Sequence, residues 1–183
     1  MSEETVNPSG AADVGAEASA ISDLSGRISS WRDFSDRVSA AMAMVAAEPG
    51  PMTLSDRDFA HWPLGQREVV EAFQQWVLGS AREIRCHVLA ASYDSFVRVH
   101  PRWVNWRKLW AHRVPCHQSP EELALSVPTL LVLHDRLALR VLEPLVGRGL
   151  WTRDPAVIGD WLGEVDVILQ RSHDALPPTT LGL

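Results

Sequence analysis

Val127 to Glu143 reads Val-Pro-Thr-Leu-Leu-Val-Leu-His-Asp-Arg-Leu-Ala-Leu-Arg-Val-Leu-Glu. Two apolar runs flank the charged tripeptide His134-Asp135-Arg136. Short apolar runs bounded by polar residues mark strands buried on both faces, so the stretch is read as a buried β-hairpin with a polar turn at its tip.

Helical patterns frame it. Ser30 is a candidate N-cap with Asp33 in the first turn. Phe34, Val38, Ala41, Met42 and Val45 then recur at helical spacing until Glu48-Pro49-Gly50-Pro51. Met52-Thr53-Leu54-Ser55 is a short strand candidate that runs into Asp56-Arg57-Asp58. A second helix is expected from Gln66 to Leu78, closed by Gly79-Ser80. Glu83 to Ala90 reads as a strand, Pro101 to Ala111 as a helix opened by its proline, and Arg113 to His117 as a third short strand. Gln118 to Ser126 is read as loop with one helical turn, and Gly147-Arg148-Gly149 as loop. Asp154 and Pro155 open a last helix with a broad apolar face from Val157 to Leu169, ending near Ser172. The order α, β, α, β, α, β, β, β, α predicts an α/β domain. Its sheet is expected to be mixed and mostly parallel, with an antiparallel hairpin added and helices on both faces.

The length of 183 residues suits one such domain with a short tail. Residues 1–26 are rich in Ala, Ser, Gly and Glu and poor in large apolar residues, so they are expected to form a disordered acidic tail, with the domain spanning 27–183. The formal charge is −6, and Glu3, Glu4, Asp13, Glu17 and Asp23 account for five of those charges. Arg82 to Arg113 forms a basic middle, with seven Lys or Arg against Glu83 and Asp94. Such a patch attracts phosphates or an acidic partner, or is a solvated surface balanced by the acidic last helix. No apolar run approaches ~20 residues, so no membrane span is expected. Met1-Ser2-Glu3-Glu4 lacks the basic and apolar regions of a secretory signal. Cys86 and Cys116 lie in apolar segments, which fits buried thiols in a reducing cytoplasm.

Several short motifs occur in a fixed order. They are Leu54-Ser55-Asp56-Arg57-Asp58-Phe59 with Trp62-Pro63-Leu64, His100-Pro101-Arg102, His112-Arg113, the hairpin Leu131 to Arg140, and Leu181-Gly182-Leu183. In their order and spacing they resemble the phospholipase D-like fold, and more narrowly a bacterial family built on one half-domain of it, over Trp31 to Leu183. One departure is that Val165 to Gln170 carries no aromatic residue where the resemblance implies several. Active members of that superfamily use His-x-Lys with an Asp seven residues after the His. The His is the nucleophile, the Lys binds phosphate and the Asp supports the hydrogen-bond network. With Asp135 as that Asp, the His position falls on Pro128 and the Lys position on Leu130, neither of which can do the chemistry. Lys108 is the single lysine, so His-x-Lys occurs nowhere in the chain. The resemblance therefore implies the fold without the catalysis. A lone half-domain also implies a homodimer, because the fold often pairs two halves about a two-fold axis.

Other constellations give the candidate site residues. Asp56, Asp58 and His61 follow a strand, where α/β folds place ligands. They are candidates for a metal or acid–base site, with turn capping as the favoured reading. Arg98, His100, Arg102, Trp106 and Arg107 form the candidate surface in the basic middle, and Asp135 and Arg136 the polar tip of the hairpin. Trp103, Trp106 and Trp110 recur at helical spacing beside Arg102, Arg107 and Lys108. They are read as core packing first, a protein-partner surface second and a nucleic-acid platform third. Cys86-His87 and Cys116-His117 bring four soft ligands onto two strands. Neighbouring strand residues point to opposite faces, so no zinc site is expected. Gly159 and Gly163, at i and i+4, suggest close packing or a dimer contact. No cofactor or metal is called for. The favoured function is a non-catalytic cytoplasmic binding module for a protein partner or a phosphate-containing ligand. The alternatives are an enzyme built on Asp56, Asp58 and His61, and nucleic-acid binding through helix 101–111.

Overall fold

The structure, a computed structural model, describes residues 24–177. At its centre β2 (Met52–Asp56), β3 (Cys86–Ala90) and β4 (Cys116–Gln118) run parallel, with Leu54 opposite Val88 and Val88 opposite Cys116. The opening hairpin, β5 (Thr129–Leu133) and β6 (Leu137–Glu143), joins β2 antiparallel, with Leu54 opposite Leu131. The sheet is extended by β7 (Arg148–Thr152), β1 (Ser25–Ile28) and, past β4, β8 (His173–Ala175). Strand order is β1-β7-β6-β5-β2-β3-β4-β8.

Helices lie on both faces, as expected of the α/β class. One face carries α1 (Trp31–Ala47), α2 (Arg67–Gly79) and α4 (Pro101–Leu109), the last preceded by the single turn α3 (Phe96–Val99). Capping starts α1 where the sequence implies, since the Ser30 hydroxyl accepts from the Asp33 N–H at 3.2 Å. Phe34, Val38, Ala41, Met42 and Val45 are its buried stripe. Trp76 of α2 is fully buried and donates from Nε1 to the Gly50 carbonyl at 2.8 Å, which satisfies its polar end inside the core. The other face is covered by α5 (Pro155–Leu169) through Ile158, Val165 and Ile168 on Leu89, Leu130, Val132 and Ala138. Among the described residues no helix is long and apolar enough to cross a membrane.

The expected parallel character is corrected. Only β2–β3 and β3–β4 pair parallel, and the other five pairings are antiparallel. The difference comes from β1, β7 and β8, which do not read as strands in sequence. Ser-Gly-Arg-Ile, Arg-Gly-Leu-Trp-Thr and His-Asp-Ala are short and carry charges or glycine, and they become strands by pairing with edges already formed. The segment expected as loop at 147–149 turns at Gly147 (φ 72°) and enters β7 at Arg148. Gly149 lies beside an irregularity in the β6–β7 register. A Cβ there would fall 1.9 Å from the Arg140 carbonyl oxygen, so β6 and β7 approach as closely as they do only with glycine. At the N-terminus β1 takes in Ser25 and Gly26, which were expected to belong to the tail, and residues 1–23 lie outside the described residues. Gly159 and Gly163 have nothing within 4 Å of an added Cβ, so their spacing serves no close packing among the described residues.

Candidate functional site

Beyond the C-terminal ends of β2 and β3 lies a cleft of about 460 Å³, lined by Trp31, Asp56, Arg57, Asp58, His61, Ser92 and Thr129 among others. This is the end of the sheet where parallel strands leave a crevice. The turn that builds it is organised by Asp56, which is 5% exposed. One carboxylate oxygen accepts from the N–H groups of Asp58 (3.0 Å) and Phe59 (2.7 Å), and the other accepts from the Thr129 hydroxyl at 2.5 Å. Asp58 accepts from the Ala60 N–H at 3.0 Å. These contacts hold Phe59 in the left-handed region at φ 58°, with its ring fully buried. His61 then stacks on Trp31, ring centroids 4.1 Å apart and planes 18° from parallel, and Trp31 Nε1 donates to the Pro144 carbonyl at 3.0 Å. The Arg57 carbonyl accepts from the N–H groups of Ala91 and Ser92, which ties the loop after β3 to the same wall.

This arrangement limits the chemistry. Both oxygens of Asp56 are occupied as acceptors, so it acts as a turn clamp. The groups left facing solvent are the Arg57 guanidinium, the Asp58 carboxylate and the His61 imidazole, all on exposed residues. Among the described residues Arg57 forms no ion pair. The hairpin contributes Thr129 to the cleft. Leu130 is fully buried on the opposite face, against the cluster under α5.

No family model matches the chain, and no curated protein matches it. Two solved structures are similar to it. TrmBL2, described as an archaeal chromatin protein with a novel mode of DNA binding, superimposes with a TM-score of 0.60 at 11% identity, over 90% of this chain. The chain spans about 60% of TrmBL2. Nuc from Salmonella typhimurium, a phospholipase D family member, superimposes with a TM-score of 0.45 at 6% identity, over 74% of this chain and 89% of Nuc. At these identities the likeness concerns the fold. A single open mixed sheet with helices on both faces is consistent with the phospholipase D-like fold that the sequence resembles.

The structure brings Asp56, Asp58 and His61 together and leaves the other candidates elsewhere. Because β5 runs antiparallel to β2, with Met52 opposite Leu133, the hairpin tip lies at the far end of the sheet from the cleft. There Asp135 takes the left-handed turn conformation (φ 64°), and Arg136 reaches Glu48 at 3.4 Å. His100 is buried against Phe96, with Nε2 2.9 Å from the Phe59 carbonyl. Burial pushes its imidazole below the ordinary range. Arg102 donates to the Gly65 carbonyl at 2.6 Å, and Trp106 Nε1 donates to Gln74 at 2.8 Å. Arg107 is 5% exposed and donates from Nε to the Val114 carbonyl at 2.9 Å, its guanidinium also reaching the Leu176 carbonyl. Arg113, at 4% exposure, ties the carbonyls of Ala81 and Ile84 together over Trp76. Arg107 and Arg113 are therefore internal scaffolding, while Arg82, Arg98, Arg102 and Lys108 stay exposed. The first-favoured reading of the tryptophan stripe holds, since Trp103 is fully buried and Trp106 nearly so.

Cys86 and Cys116 face the core under α1 and α2, and burial pushes both thiols up, Cys116 to about 11. Their neighbours His87 and His117 face the other way. Among the described residues no three His, Cys, Asp or Glu side chains are grouped to hold a metal ion. Sequence reading missed Trp31, Ser92 and Thr129 as cleft residues. Arg57, between Asp56 and Asp58, was the one local signal available.

Proposed function

We propose that this protein is a binding module whose ligand seat is the cleft beyond β2 and β3. The supporting observation is the division of labour in the Asp56–His61 turn. Asp56 is fully engaged in holding the loop, while Arg57, the second carboxylate oxygen of Asp58 and the His61 imidazole present polar groups to the cleft that Trp31 also lines. A cleft of this size suits a small ligand, and Arg57 favours one that carries phosphate. Against an enzyme of the phospholipase D type stand Pro128 and Leu130 at the positions of its nucleophile and phosphate-binding lysine.

Titration with inorganic phosphate and a nucleoside monophosphate, followed by amide chemical shifts, tests this reading. The shifts are expected at Arg57, His61 and Ser92, and Arg57→Ala is expected to weaken binding about tenfold, or about 1.4 kcal/mol. Shifts confined to other regions would remove the cleft as the seat. Turnover of a generic phosphodiester, lost in His61→Ala, would put the enzyme reading in its place.

Nucleic-acid binding is the second reading, raised by the description of TrmBL2. With the tryptophans buried, Arg82, Arg98, Arg102 and Lys108 are the exposed cations for it. Retention on duplex DNA that falls steeply between 50 and 200 mM salt would favour this reading, and no retention at low salt would end it.

A further inference from the structure

On the α5 side of the sheet, away from the cleft, three imidazoles lie together. His87 shares the face of Leu89, and His117 stands opposite Leu89 in the β3–β4 register. The His87 and His117 rings are nearly parallel (16°), with centroids 6.0 Å apart. His134 closes the group from the end of β5. Its Nε2 lies 3.2 Å from the Thr53 hydroxyl, and Thr53 is the register partner of His87. All three residues are half-buried.

The surrounding charges only partly compensate. Asp166 of α5 acts on His87 and His134, and Asp135 acts on His134. Asp174 of β8 lies 3.4 Å from His117 Nδ1, but its side chain is 96% exposed, so solvent screens the pair. Arg85 beside His87 and Arg107 behind His117 oppose protonation. Burial is the largest influence on each imidazole and pushes all three below the ordinary range, and His87 is pushed further by the other two histidines.

We infer that this cluster is a proton-sensitive latch: charging it loosens α5 from the sheet. Three neighbouring cations in a half-desolvated layer repel one another, and the face they occupy is the weaker of the two. Its apolar cluster holds eight buried residues, against thirty-one on the face of α1, α2 and α4. The sign follows from linkage. A histidine whose imidazole is held below its ordinary value of 6.5 binds protons less well in the folded state. Its share of stability is therefore complete above about pH 6.5 and is lost as the pH falls through the folded-state value. Local opening of α5 is expected before global unfolding, because α1 and α2 keep a core that carries no such cluster.

Hydrogen exchange of the full chain at pH 7.5 and 5.5, corrected for intrinsic rates, tests the latch. Protection of the α5 amides is expected to fall about tenfold at the lower pH, while α1 and α2 hold theirs. The double variant His87→Gln/His134→Gln is expected to flatten that response. Should it fail to fold, NMR titration of the three histidines in the unaltered chain takes its place. Midpoints at or above 6.5, unchanged α5 protection, or an equal loss in every helix would each overturn the inference.

Discussion

Replacing Trp103 by alanine is expected to cost about 3–5 kcal/mol of stability. The side chain is fully buried and lies edge-on to Phe73 (5.9 Å) and Phe96 (5.3 Å), with Trp106 tilted against it at 6.0 Å. Its indole N–H has no partner among the described residues, so the loss is one of apolar burial and of the cavity left behind. A single domain of this size holds roughly 5–15 kcal/mol in all, so the variant should unfold at much lower urea concentration. Trp110, half-buried at the end of the same stripe, serves as the internal comparison, and Trp110→Ala should cost clearly less. Urea unfolding followed by circular dichroism reads both. A Trp103→Ala loss below 1 kcal/mol, or one equal to that of Trp110→Ala, would mean that the stripe is a surface, and the nucleic-acid reading would regain its platform.

The second large effect is expected at Asp56. Asp56→Ala removes the acceptor for two backbone N–H groups and for the Thr129 hydroxyl, which becomes a buried donor without a partner. Hydrogen bonds to a charged group are worth about 1.5–3 kcal/mol each and do not add fully, so a total loss of roughly 2–4 kcal/mol is expected. Phe59 loses the clamp that holds its positive φ, and the Trp31–His61 wall loosens with it. Asp56→Asn, which keeps an acceptor, should fall between wild type and alanine. A double-mutant cycle with Thr129→Val isolates the cross-strand contact. A coupling near zero would show that Asp56 and Thr129 act independently, and a loss below 0.5 kcal/mol for the alanine variant would remove Asp56 as the organiser of the cleft.

The elements that could be read in advance are those whose cause is local. The start of α1 follows from one hydroxyl and an N–H three residues on, and α5 begins where Asp154 accepts from the Ala156 N–H ahead of an apolar face. The hairpin showed itself through continuous apolar runs, because both of its faces are buried. Capping by Asp56 and Asp58 was equally legible, since an Asx turn uses backbone within two or three residues. The opposed directions of Cys86 and His87 follow from the pleat alone. Strands β1, β7 and β8 were not legible, and with them went the antiparallel majority of the sheet. Their residues have little strand preference of their own and pair because an edge is there to receive them.

The sites divide in the same way. The sequence alone shows that no His-x-Lys occurs anywhere, and the helical spacing of Trp103, Trp106 and Trp110 favours a core-facing helix. Long-range pairing settles the rest. Thr129 meets Asp56 across 73 residues, Arg107 and Arg113 turn inward to bind carbonyls, and three histidines from three separate segments gather on one face. Side-chain periodicity states which face a residue occupies, but which strands adjoin is a choice among pairings. That choice is made by the burial of the whole sheet between its two helical layers.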